Sequence, residues 1–266
     1  MTEQISEGLS ETTIAELHEL AGRYPQSRSA LLPMLHLVQS EQGRVTAEGI
    51  EVCGRILGLT EAEVSAVATF YTMYKRRPMG KHHVGVCTNT LCAVMGGDEI
   101  FERLSGHLDV GNDETSEDGQ VTLERVECNA ACDFAPVMMV NWEFFDNQTP
   151  ESAVEVVDQL RAGETVQSTR GATITSWREA ERVIGGFEDG LVDEGPAAAG
   201  ASLAGLEIAN ERGWKAPPLD ASGPEAGRES EGQAAAEADT RRAESETVIE
   251  QSPTDVRSEE TEATDD

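Results

Sequence analysis

Residues 84–97 read V-G-V-C-T-N-T-L-C-A-V-M-G-G, and residues 126–140 read V-E-C-N-A-A-C-D-F-A-P-V-M-M-V. Four of the five cysteines lie in these two runs, as the pairs Cys87–Cys92 and Cys128–Cys132. Four residues separate the first pair and three the second. Each pair follows a strand candidate, His82–Cys87 and Val121–Cys128, so both loops fall at strand C-terminal ends. A helix candidate, Asp98–His107, lies between them. A β-α-β crossover makes the two strands parallel and lets four sulfurs converge. Thr88, Asn89, Thr90, Asn129, Ala130 and Ala131 are small, so backbone N–H groups are free to turn toward sulfur and tune its charge.

Three centres compete on spacing. Structural zinc uses four cysteines, but its commonest pairing, C-x-x-C, is absent here. A redox dithiol also favours C-x-x-C. A 2Fe-2S cluster takes two thiolates on each iron, which suits a two-plus-two layout. The plant-type ferredoxin spacing does not match. A Rieske centre needs two histidine ligands, and His82 and His83 lie outside the loops and read as surface residues.

Upstream, residues 11–72 read as helices. Leu17, Leu20, Ala21 and Tyr24 share one face; Leu31, Met34, Leu35 and Val38 another; Ile50, Cys53, Ile56 and Leu57 a third. Gly43 and Gly58 sit where helices end, and Thr46 and Thr60 where the next begin. Thr60 with Glu63 makes a capping-box spacing. Downstream of the first loop, Asp109–Gln120 reads as a surface loop. Pro136–Trp142 reads as a third strand and Glu143–Asp146 as a fourth. Thr149 or its neighbours open a last helix carrying Ala153, Val156, Val157 and Leu160.

The expected organisation is a short disordered N-terminus at 1–10, a helical bundle at 11–78, an α/β domain at 79–165, and an extension at 166–188. In the extension, Ser176 and Glu179 cap a helix bearing Trp177, Ala180, Val183, Ile184 and Phe187. That stripe lies beyond the compact domain, so it either folds back on its own domain or docks on a partner subunit. Residues 187–266 hold 21 acidic and 6 basic residues. The stretch 189–266 therefore reads as an acidic, largely disordered tail.

The chain has 266 residues, 38% of them hydrophobic, and a formal net charge of −30. That charge argues against a nucleic-acid or anionic-membrane partner, because phosphate surfaces repel carboxylates. Neither a signal peptide nor an apolar run near the ~18 residues of a membrane span is visible, so no direct membrane insertion is expected. A cytoplasmic setting follows, in which cysteines favour metal or catalysis over disulfides. Cys53 shares an apolar helix face and reads as a buried structural thiol. Gly96-Gly97 matches neither phosphate-loop nor dinucleotide fingerprints, so no NADH or flavin site is placed on this chain. Phe70, Tyr71 and Tyr74 read as inter-domain packing. Arg76, Arg77 and Lys81 form the densest basic cluster, facing either an acidic partner or solvent. Pro136 leaves the cis and trans alternatives open.

The cysteine runs, with P-Q-S-R-S-A-L-L-P-M-L-H-L-V-Q at Pro25–Gln39 and A-T-F-Y-T-M-Y at Ala68–Tyr74, resemble the thioredoxin-like 2Fe-2S ferredoxin family. Those of its members that serve NADH-quinone oxidoreductase are the most similar. The resemblance covers roughly residues 11–162 and all four ligand positions, Cys87, Cys92, Cys128 and Cys132. It implies a helical N-terminal domain followed by a thioredoxin-like α/β domain that carries one 2Fe-2S cluster. It implies an electron-transfer subunit of NADH-quinone oxidoreductase with no catalytic residue of its own. The expected partners are a subunit that binds FMN and NADH and other subunits of the peripheral arm, at the inner face of the cell membrane. The same module in an NAD-linked formate dehydrogenase or hydrogenase is the alternative; a zinc-stapled interaction module is the alternative of another class.

Overall fold

Local signals set the first helices. A computed structural model of the chain describes residues 8–191 and 200–215. Helix α1, Glu11–Gly22, starts at Ser10, whose hydroxyl accepts from the Thr13 N–H at 3.1 Å. Helix α2, Leu31–Gln42, stops at Gly43, where φ is 68°. Helix α3, Ala47–Leu57, is capped by Thr46 and ends at Gly58 with φ 67°. Helix α4, Glu61–Phe70, opens with the Thr60/Glu63 capping box. Each cap satisfies an otherwise orphaned N–H, and each glycine takes a left-handed turn that a Cβ disfavours. The four helices close on Leu17, Leu20, Met34, Leu35, Val38, Ile50, Cys53 and Val64.

The second part is a mixed sheet. Strands β1 (His82–Cys87), β2 (Glu114–Thr115), β3 (Val121–Val126), β4 (Met138–Val140) and β5 (Glu143–Phe145) lie in the order β2-β3-β1-β4-β5. β1 and β3 pair parallel, with His82 opposite Val121 and Cys87 opposite Val126. The other pairs are antiparallel. Between β1 and β3 the chain forms α5 (Thr90–Val94) and α6 (Gly97–Leu108), and after β5 it forms α7 (Pro150–Ala162). Val84, Val86, Val121, Leu123, Met138 and Val140 pack on Ile100, Leu104, Ala153, Val157 and Leu160. Burying each such side chain stabilises the fold by about 1.5–3 kcal/mol.

The expected crossover is present, and several expectations need correction. His82 and His83 are 4% and 0% exposed, not surface residues, because β1 is central and covered on both faces. The loop at 109–120 contains β2. The third strand stops at Val140, because Asn141 and Trp142 form the turn to β5 with φ of 49° and 74°. Of the three aromatic residues expected to pack, only Tyr74 is buried; its hydroxyl donates to Leu32 O at 3.0 Å. Phe70 is 77% exposed. The Ala135–Pro136 peptide is cis. Leu9 is buried and Ser10 caps α1, so the structure is ordered closer to the N-terminus than expected.

The extension helix α8, Trp177–Ile184, has the expected Ser176/Glu179 box. It packs on α2 of its own chain, the fold-back alternative. Three contacts explain why. Arg178 donates to the Ser40 and Glu41 carbonyls at the end of α2. Arg182 pairs with Glu16 of α1 at 2.6 Å. Glu181 is fully buried, accepting from Gln39 Nε2 at 2.8 Å and Trp142 Nε1 at 2.9 Å, with His36 Nδ1 at 2.6 Å. A buried carboxylate holds only where donors converge on it.

The described residues up to Ala204 form one compact unit, and those from Gly205 belong to another. A further helix, α9 (Gly200–Glu211), falls within the stretch expected to be disordered. Leu206, Ile208 and Trp214 are exposed there. The rest of the acidic tail and residues 1–7 lie outside the described residues. Among the described residues, no helix is long and apolar enough to cross a membrane.

Candidate metal centre

Two parallel neighbouring strands deliver the cysteines. Cys87 is the last residue of β1, and its N–H donates to Val137 O at 3.1 Å. Cys92 lies one short helix later, in α5, which the sequence did not announce. Asn89 joins the two loops by donating its Nδ2 to Val126 O, at the end of β3, at 3.2 Å. Gly97 then starts α6 so close to this loop that an added Cβ would lie 2.4 Å from Cys87 O.

The second loop leaves β3 at Val126. Cys128 and Cys132 are exposed, with their Sγ atoms 3.9 Å apart, and Ala130 N–H points at Cys128 Sγ from 3.4 Å. Ala130 has φ 54°, which turns that amide inward. Cys87 and Cys92 are buried in an apolar cluster with Ala135 and Val137, flanked by Val126, Ala131 and Phe144. The site is therefore sealed on its protein side and open at the second pair.

The thiols perturb one another across the two loops. Burial pushes the Cys92 thiol up to about 11; a Val137 backbone hydrogen bond opposes this, while Cys87 and Cys132 add to it. Cys132 is raised first by its hydrogen bond to Cys128, then by the charge of Cys128, by burial and by Cys87. Cys53, elsewhere in the helical core, is pushed up to about 12 by burial alone.

A site where the Cys92 and Cys132 thiols are held up in this way is a poor resting place for bare thiolates and a good one for a cationic centre. Their layout is pairwise. Among the described residues, no three His, Cys, Asp or Glu side chains already converge as a site for one ion. Asn129 Nδ2, inside the second loop, is buried with no acceptor among the described residues. Donor type, pairing and a spare N–H all fit a sulfide-bridged binuclear cluster.

The sequence reading missed the polar seam on the face of β1 opposite the one that Val84 and Val86 pack on the helices. There His83 Nε2 lies 2.6 Å and Lys75 Nζ 2.5 Å from Glu124 Oε2. Burial opposes ionisation of Glu124, but His83 and Lys75 outweigh it and hold the carboxyl below its ordinary value. The Trp142 ring lies tilted against the His83 ring, with centroids 5.1 Å apart. No spacing rule links residues so far apart in the chain. Of the basic trio expected to act together, Arg76 and Arg77 line a cleft beside Lys75 and Lys81 does not.

Residues 17–161 match the family described as Thioredoxin-like [2Fe-2S] ferredoxin. A curated NADH-quinone oxidoreductase subunit from Mycobacterium tuberculosis is 61% identical over 201 residues, 75% of this chain and 80% of that protein. NADH-quinone oxidoreductase subunit 2 of Thermus thermophilus is 36% identical over 154 residues, 57% of this chain and 85% of that protein. A solved structure of an air-oxidized NAD+-reducing [NiFe]-hydrogenase aligns with a TM-score of 0.45 at 16% identity, over 50% of this chain and 23% of that one. With the match to residues 17–161 spanning both cysteine loops, this chain belongs to the thioredoxin-like 2Fe-2S ferredoxin family.

Proposed function

We propose that Cys87, Cys92, Cys128 and Cys132 ligate one 2Fe-2S cluster, and that the chain is an electron-transfer subunit of an NADH-quinone oxidoreductase. The observation that carries this reading is the meeting of two cysteine loops at the C-terminal ends of adjacent parallel strands. The similarity to the mycobacterial and Thermus NADH-quinone oxidoreductase proteins supports the choice of complex. When bound, such a cluster supplies outer-sphere one-electron exchange.

The chain's own part is to hold and tune the site. Gly97 permits the close approach of α6 to the first loop. The Ala130 N–H and the Val137 backbone place donors beside sulfur, which stabilises negative charge there. Val137, Ala135 and Phe144 keep water from the inner pair, while the outer pair stays open for a redox partner. In this reading FMN and NADH sit on that partner, a neighbouring subunit of the peripheral arm at the cytoplasmic face of the membrane. Residues 11–78 form the helical bundle domain and residues 79–165 the cluster domain.

The test is an anaerobic preparation of the full chain. Two irons and two sulfides per chain, with a rhombic EPR signal on reduction, are expected. Alanine at any of the four cysteines lowers iron by at least half, while Cys53→Ala retains it. A colourless chain holding one zinc refutes the assignment.

A further inference from the structure

The second cysteine loop covers one amide that nothing in the fold satisfies. Asn129 Nδ2 is shielded from solvent and has no hydrogen-bond acceptor among the described residues. The loop around it faces water: Glu127, Cys128, Ala130, Cys132 and Asp133 are exposed. A side-chain atom that is covered while its chain neighbours are exposed has turned inward, toward the body of the site. A buried amide N–H without an acceptor costs free energy, so such a group in a folded chain calls for a partner.

The place of Asn129 in the loop makes sulfur that partner. It directly follows Cys128 and precedes Ala130, whose φ of 54° sends its own N–H toward Cys128 Sγ at 3.4 Å. From Val126 to Asp133 it is the one residue whose side chain carries an N–H. Its counterpart in the first loop is already spent, since Asn89 Nδ2 donates to Val126 O at 3.2 Å. The charged side chains beside the second pair in the chain are Glu127 and Asp133, which disfavour further negative charge at sulfur. The nearest cation in the chain, Arg125, is engaged by Asp98 at 2.6 Å.

We propose that Asn129 is the side chain that sets how readily the cluster takes an electron: its Nδ2–H donates to a sulfur of the bound centre and favours the reduced form. The assignment rests on the electron-transfer reading above. Reduction adds one electron, and with it one unit of negative charge. No bond is made or broken, and both amide protons stay on nitrogen. The attraction of a neutral N–H for sulfur grows with that charge, so removing the donor lowers the reduction potential. A loosened loop does the reverse, because water admitted to the site stabilises the added charge and raises the potential. The sign of the change therefore separates a donor from a structural prop.

The experiment is an equilibrium redox titration of the full chain, prepared anaerobically with its cluster, read by visible absorption and EPR. At the ambient potential where the parent is half reduced, the reduced-to-oxidised ratio in Asn129→Leu falls at least threefold, about 28 mV for a one-electron couple at 59 mV per tenfold. Iron and sulfide stay unchanged. In the parent grown with asparagine carrying heavy nitrogen in its side-chain amide, pulsed EPR of the reduced centre shows a coupling to that nitrogen that Asn129→Leu removes. An unchanged or higher ratio in an iron-replete Asn129→Leu overturns the assignment and leaves the electron-transfer reading standing. A lower ratio without loss of that coupling also overturns it. If Asn129→Leu loses iron, Asn129→Ala is judged by the same ratio and coupling; loss of iron from that variant too makes Asn129 a prop of the loop and overturns the proposal. A parent chain that holds no 2Fe-2S cluster overturns this assignment and the electron-transfer reading together.

Discussion

One helix, α6, carries two glycines that should respond to the same substitution with opposite sign. At Gly97 an added Cβ would sit 2.4 Å from Cys87 O and 2.9 Å from Cys92 O. Both are backbone atoms of the cysteine loop, and neither swings aside as a side-chain tip does. The helix or the loop must move instead. Overpacking of this kind costs about 1–3 kcal/mol. At Gly106 nothing lies within 4 Å of the added atom, and the position is inside the helix. There alanine stabilises by about 0.5–1 kcal/mol through helix propensity. For an ordered chain of this size, each kcal/mol shifts Tm by about 2–4 °C. Gly97→Ala is expected to lower Tm by about 3–10 °C and to reduce bound iron, because Cys87 and Cys92 are displaced together. Gly106→Ala is expected to raise Tm by about 1–3 °C with iron unchanged. Scanning calorimetry and iron analysis on the two purified variants decide the matter. A Gly97→Ala chain with parental Tm and full iron would show that the close packing of α6 on the loop does not shape the site.

The remaining expectations concern buried polar groups. Glu181→Gln leaves an amide NH2 facing donors that now meet a carboxylate, so the urea midpoint should drop by the equivalent of about 2–4 kcal/mol; an unmoved midpoint contradicts the converging-donor argument. His82 is held at about 4 by burial first and by Lys81 second, below its unfolded value near 6.5. The unfolded chain therefore takes up the proton first as pH falls. The stability is complete above about pH 6.5 and is lost as pH drops toward 4, up to ~3 kcal/mol. Urea midpoints between pH 7.5 and 4.5 should fall less in His82→Asn, and equal slopes would remove His82 as the cause. Cys53, with its thiol pushed up to about 12, should resist iodoacetamide at pH 8 until the protein unfolds; rapid labelling of the folded chain contradicts its burial.

What could be read in advance was local. Thr46, Thr60, Thr149 and Ser176 cap helices because a hydroxyl needs only the next few residues to act. The cysteine loops were legible because two strands with a helix between them impose parallel alignment. What escaped was long-range. Glu181 carries no local signal, and only His36, Gln39 and Trp142, each distant in sequence, make it a buried anchor. His82 and His83 looked exposed because polar residues usually are, yet a central strand buries both faces. Trp142 extended the apparent strand, although its φ of 74° belongs to the turn. One turn of helix, α5, is too short to leave a periodic signal.

The pairing of Glu181 with His36 spans 145 positions, and that distance acquires a meaning in time. At roughly 5–20 residues per second, a ribosome needs about 7–30 s to deliver the acceptor after the donor. By the end of that interval the nascent chain has made α2, both cysteine loops and the hairpin that carries Trp142, but not the carboxylate that joins them. The donors of His36, Gln39 and Trp142 remain wet, and the surface destined to lie under α8 stays uncovered. The thiols are complete by Cys132, well before that closure. The order of synthesis thus leaves an open intermediate in which the cysteines are present and the final lock is not.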